Sequence, residues 1–284
     1  MKRLLSAILC LLAALLLGGA AAPQEPTLDG IFFDAGKADA ILLTTAHGAV
    51  LIDCGEKGFG KEIVSYCTGH GVEKLDCLIV THFDKDHVGG AARVLRELPV
   101  DRVLQSNFPK DSIEYAHYLK ALRRAGLEAV TVRETLSFTL DGVRFTVDPP
   151  RLERYADSPS NNASLIITVS CGDRRLLLPG DAETARLTEW LADEPGSFDL
   201  VKMPHHGNWD RALPTLLAET RPAFAVITSS EKEPESAKTL ALLQDAGAAV
   251  FLTREAPVLL RCEGADLRVW YAESGSPNFF LKRS

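Results

Sequence analysis

The sequence predicts an α+β fold in which two mixed β-sheets pack face to face with helices outside. Apolar strand-like runs alternate with amphipathic helical segments in the first half of the chain, and strands followed by helices recur in the second half. Nothing in the middle of the sequence resembles a linker, which favours one domain over two. The 284 residues, 46% hydrophobic and 24% charged, are sufficient for a large core and argue against disorder.

The first half of the chain predicts strands that alternate with helices. Apolar runs bounded by turn residues, such as His47-Gly48, predict strands at residues 31–33, 40–43, 50–52, 75–80 and 100–104. Segments with apolar residues at helical spacing predict helices at 61–68, 88–98 and 111–124, and Gly126 ends the last one. This order is typical of βαβ units with parallel strands.

The second half begins with hairpins and ends with the mixed pattern. Its first strand is expected at 127–132. Two-residue turns at Asp141-Gly142 and Gly172-Asp173 then join strands at 136–140, 143–147, 165–169 and 175–178. The remaining elements are helices at 183–191, 213–219 and 236–246, with strands at 200–203, 224–228 and around 251, 259 and 269. This second series predicts the second mixed sheet.

One strand of the first half leads into a loop rich in metal ligands. His82, Asp84, Asp86 and His87 lie within six consecutive positions. A helix cap needs only one of these side chains, whereas imidazole with carboxylate suits zinc, and added carboxylate shifts the preference toward manganese or iron. His82 and Asp84 can project to one side of an extended segment while Asp86 and His87 reach a second point, which predicts a site for two cations.

Three other strands end in candidate ligands. Asp53, Asp181 and the pair His205-His206 each stand directly after an apolar strand. Asp181 alone would be an ordinary helix cap, and adjacent histidines in a loop are a weak metal signal. Four strands that end in aspartate or histidine are hard to explain by capping alone, so we expect these residues to converge on one site.

Together these segments resemble the metallo-β-lactamase superfamily, from about residue 34 to residue 261. That superfamily carries a His-x-His-x-Asp-His loop, and here Asp84 stands in place of the second histidine. This variant, with the segments 34–40, 161–165 and 204–207, is similar to the hydrolase-like domain of the ComEC family of competence DNA-uptake proteins. The resemblance implies a four-layer αββα sandwich with a dinuclear metal site along one sheet edge.

The resemblance also implies a role for each candidate ligand. His82 and Asp84 would hold one metal, Asp86 and His87 would hold the other, and Asp181 would bridge them.

Other residues would complete or support this site by the same resemblance. Either His205 or His206 would complete a coordination sphere, and the sequence offers no basis for choosing between them. Asp39 and Asp53 would support the ligands through hydrogen bonds.

Three further polar residues are candidates for contact with metal or substrate. Asn161 and Asn162 are adjacent asparagines, which are also common turn formers. Glu233 lies before a proline at a place where relatives have a histidine. It therefore either replaces that ligand or leaves the second metal weakly held.

The implied cofactor is a pair of divalent cations, zinc or manganese, and the implied reaction is hydrolysis by metal-activated water. Asp84 and Asp181 would orient that water or take its proton. The resemblance favours a phosphodiester, in DNA or in an envelope component, over a β-lactam, so we expect a phosphodiesterase or nuclease. The alternative is a metal-poor, non-catalytic binding or scaffold protein that retains the fold, which Glu233 and the acidic composition favour.

Residues 1–22 predict a signal peptide. A positive start precedes an apolar run at 4–17 and small residues at 18–22. We expect cleavage to leave residues 23–284 as the hydrolase domain of a secreted or extracytoplasmic protein without a stable membrane span. An uncleaved anchor is the alternative, because the apolar stretch approaches the length that spans a bilayer.

The formal net charge of −7 makes the chain acidic, which disfavours tight sequence-independent binding of a phosphate backbone. Arg123-Arg124 and Arg174-Arg175 are local basic pairs, for which a solvated helix or hairpin face is the preferred interpretation. The cysteines after residue 22 are odd in number and not closely spaced, so no disulfide framework is expected.

Overall fold

The computed structural model describes residues 25–273 and has four layers. Two mixed sheets of eight and seven strands pack face to face, and helices cover their outer faces. The predicted αββα sandwich is therefore confirmed. The predicted signal peptide at residues 1–22 lies outside the described residues.

The first sheet begins at the amino-terminal end of the described chain and is completed by the last two strands. Its strands are β1 (Thr27–Phe32), β2 (Ile41–Thr44), β3 (Ala49–Ile52), β4 (Cys77–Val80), β5 (Val103–Gln105), β6 (Val130–Thr131), β14 (Val258–Glu263) and β15 (Asp266–Tyr271). Their order is β15-β14-β1-β2-β3-β4-β5-β6. Strands β3 to β6 run parallel, so their carboxyl ends lie along one edge.

The second sheet contains the strands between these two groups. They are β7 (Leu136–Leu140), β8 (Val143–Asp148), β9 (Ile166–Cys171), β10 (Arg174–Leu178), β11 (Leu200–Lys202), β12 (Phe224–Ile227) and β13 (Ala249–Leu252). They follow one another in the order β13-β12-β11-β10-β9-β8-β7. Strands β10 to β13 run parallel, which brings their carboxyl ends together as well.

The helices pack on the outer face of the sheet to which they are connected. Those on the first sheet are α1 (Gly60–Gly69), α2 (Lys85–Val88), α3 (Ala91–Glu97) and α4 (Ile113–Ala125). Those on the second sheet are α5 (Thr184–Leu191), α6 (Leu213–Thr220) and α7 (Ala237–Asp245). Two short 3₁₀ turns lie at Asn161–Ala163 and Pro204–Gly207.

Alternation along each strand divides its side chains between the layers. In β2, Leu43 packs between the two sheets while Leu42 packs against the helices. Ile79 and Leu78 divide in the same way in β4. Complete burial of one such leucine stabilises the fold by roughly 1.5–3 kcal/mol, so a one-residue slip in register would cost several of these contributions together.

Two predicted elements differ from the structure. The helix predicted at 88–98 is broken, because α2 ends before Gly89 and α3 begins after Gly90. A Cβ on Gly90 would lie 2.1 Å from the backbone oxygen of Cys54, so two backbone segments touch at this break. The strand predicted at 127–132 is reduced to the two residues of β6, where Val130 is exposed at the edge of the sheet. This strand pairs with β5 and belongs to the first sheet, rather than to the second group of strands as predicted.

Among residues 25–273, no helix has both the length and the apolar character needed to cross a membrane. All five cysteines in that part of the chain are free and buried.

Candidate metal centre

The carboxyl ends of parallel strands from both sheets meet at one edge of the sandwich. Asp53 follows β3 and His82 follows β4 in the first sheet. Asp181 follows β10 and His206 follows β11 in the second sheet. All four side chains are buried. The fold therefore brings to one edge residues as distant in sequence as Asp53 and His206, which are more than 150 positions apart.

Four of the candidate ligands form one compact group. Asp86, His87, Asp181 and His206 each offer one donor atom, and these atoms all lie within 4.8 Å of one another. Asp181 Oδ2 lies 3.3 Å from His87 Nε2 and 3.2 Å from His206 Nε2. Asp86 Oδ2 lies 3.3 Å from the same His206 nitrogen. We call these four residues the donor cluster.

The donor cluster fits a divalent cation. The Nε2 atoms of His82, His87 and His206 and the Oδ1 atom of Asp181 are buried and have no hydrogen-bond partner in the described part of the chain. Buried polar atoms without partners cost free energy that a bound ion would recover. Imidazole and carboxylate are also ligands that zinc and manganese accept.

Asp53 fixes the orientation of His87. Its Oδ2 lies 2.7 Å from His87 Nδ1, which directs Nε2 of the same ring toward the donor cluster. Asp53 is itself held by Thr81, whose backbone N–H and hydroxyl donate to its two oxygens at 2.8 and 2.6 Å. A carboxylate that accepts from one imidazole nitrogen sets the other nitrogen for metal binding.

A second buried chain of contacts orients His206. Thr228 donates its hydroxyl to Asp39 Oδ1 at 2.6 Å, and His206 Nδ1 lies 3.0 Å from the same hydroxyl. The predicted supporting positions of Asp39 and Asp53 thus lie behind the two histidines of the donor cluster, one carboxylate behind each ring.

Lys202 is a buried cation that the sequence reasoning missed. Its Nζ lies 2.5 Å from Asp39 Oδ2 and 3.6 Å from Asp181 Oδ1, and it donates to the backbone oxygen of Gly180 at 3.1 Å. Burial lowers the pKa of Lys202, but these carboxylates outweigh burial and raise it. Its position in the otherwise apolar β11 strand, directly before the Pro-His-His-Gly segment, was the available signal.

The imidazoles differ in their affinity for protons. Burial lowers the pKa of His87, but the carboxylates of Asp181 and Asp53 outweigh burial and raise that pKa well above its usual value. Asp181 likewise outweighs burial at His206 and raises its pKa to about 10. Burial and the neighbouring His87 lower the pKa of His82 to about 4. The carboxylates of the donor cluster therefore favour positive charge at its centre.

His82 and Asp84 form a different environment beside the donor cluster. His82 Nε2 lies 3.8 Å from Asp84 Oδ1. That carboxylate is held by Lys110, whose Nζ lies 2.5 Å from it, and by the hydroxyl of Ser160. We call His82 and Asp84 the lysine-paired half, since Lys110 already supplies a positive charge there. The sequence reasoning singled out neither Lys110 nor Ser160.

Residues 34–227, more than half of the chain, match the metallo-beta-lactamase superfamily. The chain belongs to this superfamily. It is 27% identical over 220 residues to ComE operon protein 3 of Bacillus subtilis, which covers 70% of this chain and 28% of that protein. It is 28% identical over 217 residues to recombination protein 2 of Haemophilus influenzae, which covers 74% of this chain and 25% of that protein.

The chain thus spans about a quarter of the length of these curated relatives. Among solved structures, the metallo-beta-lactamase fold protein YhfI of Bacillus subtilis is similar with a TM-score of 0.55 at 10% identity. That match covers 87% of this chain and 100% of YhfI, and it shows the shared fold. The superfamily and the resemblance to ComEC-type proteins are confirmed. In general terms, the superfamily and its candidate ligands support a metal-dependent hydrolase.

His205 points away from the donor cluster of this superfamily member. Its Nδ1 lies 3.0 Å from Glu183 Oε1, and Asn161 Nδ2 donates to the same oxygen at 2.8 Å. Asn162 is buried, and its side-chain oxygen accepts from the backbone N–H groups of Glu183 and Arg186 at the start of α5. The structure therefore brings His206, rather than its neighbour, together with the other donors, and gives Asn162 a helix-capping contact.

Glu233 lies on an exposed turn. Its backbone N–H donates to the side-chain oxygen of Ser230 at 3.1 Å. Its carboxylate is not among the groups of converging donors in the described part of the chain. Its predicted role as a replacement ligand stays a prediction.

Proposed function

We propose that this protein is an exported metal-dependent phosphodiesterase that acts on nucleic acid or on a phosphodiester of the cell envelope. The observation that carries the proposal is the donor cluster, in which two histidines and two aspartates meet at the sheet edge with unpartnered donor atoms. The export of the protein is inferred from the sequence of residues 1–22 alone.

In this proposal, Asp86, His87, Asp181 and His206 hold one divalent cation, and His82 with Asp84 holds a second one more weakly. Zinc and manganese both suit the donors. A bound cation would activate water and stabilise the negative charge that develops on a phosphoryl oxygen. Asp181 of the donor cluster and Asp84 would orient the attacking water.

Cationic side chains near the site favour an anionic substrate over a neutral lactam. Lys110 pairs with Asp84 and has about a third of its side chain exposed. Lys85, next to Asp84 in sequence, is largely exposed and pairs with Glu56. Ammonium groups at such positions make charge-assisted contacts with phosphate oxygens. The name of the Haemophilus relative, a recombination protein, also favours a nucleic-acid substrate.

Metal content and a substrate panel test the proposal. The protein, purified without chelators and supplemented with zinc or manganese, is assayed for bound metal and for turnover of bis(p-nitrophenyl) phosphate, single-stranded DNA and a cephalosporin. We expect at least one equivalent of metal and hydrolysis of the phosphodiesters but not of the cephalosporin.

Two isosteric variants complete the test. Asp86→Asn alters the donor cluster, and Glu233→Gln on the exposed turn is its matched control. Less than about half an equivalent of metal in the wild type would contradict an intact site of this kind. In that case, or if metal-loaded protein cleaves none of the substrates, the non-catalytic binding or scaffold protein becomes the better account.

A further inference from the structure

A groove on the outer face of the first sheet carries positive charge, although the chain as a whole is acidic. It lies between α3 and α4 and has a volume of about 560 Å³. Its polar lining consists of five lysine or arginine residues and a histidine, which are Lys57, Arg93, Arg96, His117, Lys120 and Arg124. No aspartate or glutamate of residues 25–273 belongs to this lining. We call this feature the basic groove.

Helical spacing places the basic side chains in two rows. His117, Lys120 and Arg124 lie three and four residues apart along α4, and Arg93 and Arg96 lie three apart along α3. The floor between the rows is small and apolar, with Ala92, Leu95, Ala121 and Ala125. Because packed helices lie about 8–10 Å apart, one extended chain above this floor can contact both rows of basic side chains.

Few of these charges are neutralised by the protein. Arg93 and Arg96 share Glu97, at 2.8 and 3.0 Å. Lys57, Lys120 and Arg124 are exposed, and none of them takes part in an ion pair within the described chain. A row of unpaired like charges is relieved by an anionic partner, and a repeating anion relieves it at several positions at once.

The basic groove begins close to the loop that carries His82, Asp84, Asp86 and His87. Gly89, two residues after His87, packs so tightly that a Cβ there would lie 2.5 Å from the backbone nitrogen of Lys57. Glu56, the residue before Lys57, also pairs with Lys85 of the loop at 3.0 Å. A chain held in the groove at Lys57 therefore lies next to the loop that carries Asp86 and His87.

We propose that the basic groove anchors the phosphate backbone of a single-stranded nucleic acid. This inference rests on the proposed phosphodiesterase function and specifies its substrate as a polyanionic strand that extends beyond the bond to be cleaved. Lysine and arginine contacts of this kind bind phosphates irrespective of base sequence. The formal net charge of −7 disfavours binding of such a strand elsewhere on the protein.

The test is a binding measurement that does not depend on hydrolysis. A fluorescein-labelled, phosphorothioate-linked single strand of about 20 nucleotides, long enough to follow an extended groove, is titrated with the full protein, and anisotropy is recorded at several salt concentrations. The groove variant is Lys120→Glu with Arg124→Glu. The control is Arg144→Glu with Arg268→Glu, an equal charge change at exposed positions of β8 and β15.

We expect salt-dependent binding by the wild type and by the control variant, and a loss of about tenfold or more in affinity for the groove variant. The slope of log affinity against log salt should become shallower by about 1.4, because two phosphate contacts of a single strand are lost. No binding by the wild type, or equal losses in both double variants, would overturn the proposal.

This outcome is separable from the proposed function. Turnover of bis(p-nitrophenyl) phosphate by the wild type tests the chemistry, whereas anisotropy with the cleavage-resistant strand tests the groove. Selective loss of binding without any phosphodiester turnover would retain the groove and reject the phosphodiesterase. Turnover without groove-dependent binding would retain the phosphodiesterase and reject the groove.

Discussion

The two halves of the candidate site are built from similar residues but have different partners. In the donor cluster, Asp86 faces the imidazole of His206 and the buried donor atoms of its neighbours. In the lysine-paired half, Asp84 faces the ammonium group of Lys110. The two carboxylates are exposed to a similar extent, 22% for Asp86 and 24% for Asp84, so burial does not distinguish them. The two carboxylates differ instead in the partner that another segment of the chain supplies to each.

This comparison indicates that motif spacing alone does not make two equal metal sites. A cation that enters the lysine-paired half must compete with Lys110, whose Nζ lies 2.5 Å from Asp84 Oδ1. In the donor cluster, Lys202 Nζ lies 3.6 Å from Asp181 Oδ1, beyond hydrogen-bond distance, and therefore competes less. We therefore expect stepwise metal binding, with the donor cluster filled first.

The largest expected effect is that of Asp86→Asn. Removing one charged ligand from the donor cluster should abolish the tighter metal equivalent and reduce phosphodiester turnover by more than about 100-fold, beyond the loss typical of a supporting residue. Elemental analysis and steady-state kinetics measure both effects. Asp84→Asn is the matched variant and should retain the tighter equivalent. Equal metal loss in the two variants would remove the distinction between the halves.

Asp53→Asn should have the next largest effect. The amide cannot accept from His87 Nδ1 and from Thr81 as the carboxylate does, so the ring loses its fixed orientation. We expect metal affinity to fall by about 10–100-fold while the metal-free protein stays folded. Competition with a fluorescent chelator gives the affinity, and circular dichroism checks the fold. An unchanged affinity would mean that Asp53 serves only the fold.

Lys110→Met should act in the opposite direction on the weaker equivalent. Freed from its ammonium partner, Asp84 becomes a better ligand, and affinity for the second metal should rise by up to about fivefold, the scale of a partly exposed ion pair. Isothermal titration with manganese resolves the two steps. Lys85→Met, which breaks a pair with Glu56 instead, is the control. If neither variant alters the second step, Lys110 does not compete with metal.

Glu233→Gln should have the smallest effect. The side chain is exposed and outside the converging donors of the described chain, so we expect a change within about 0.5 kcal/mol in the free energy of unfolding and unchanged metal binding. Chemical denaturation and elemental analysis test this. A variant that loses metal, and regains it at higher metal concentration, would identify Glu233 as a ligand by mass action.

Much of the fold followed from local patterns. The apolar strands and the helices with apolar stripes predicted the two sheets and their outer layers, because alternation and helical periodicity record which face is buried. The break at Gly89-Gly90 was missed because its cause is contact with the backbone of Cys54 and Lys57, more than 30 residues earlier. A helical pattern does not register such a contact.

The sequence identified the strand-end residues of the site but not their partners. Aspartate and histidine after apolar strands form a visible pattern, so the sequence identified Asp181 and His206 as candidates. The choice between His205 and His206 could not be predicted, since it depends on the backbone conformation of the turn that carries both. Lys110 and Lys202 act through contacts with carboxylates from other segments, and no local spacing reveals such contacts.

Backbone conformation places a separate demand on some of the same residues. Asp53, His205 and His206 have φ values of 57°, 47° and 55°, in the left-handed region that non-glycine residues seldom occupy. Asparagine, aspartate and glycine tolerate this region, whereas β-branched residues do not. At position 206 the side chain must both supply an imidazole and tolerate the left-handed backbone. His206→Asn should remove the imidazole while it preserves the turn, whereas His206→Val should lose both. At these positions, only a small set of residue types should remove the functional side chain without unfolding the protein.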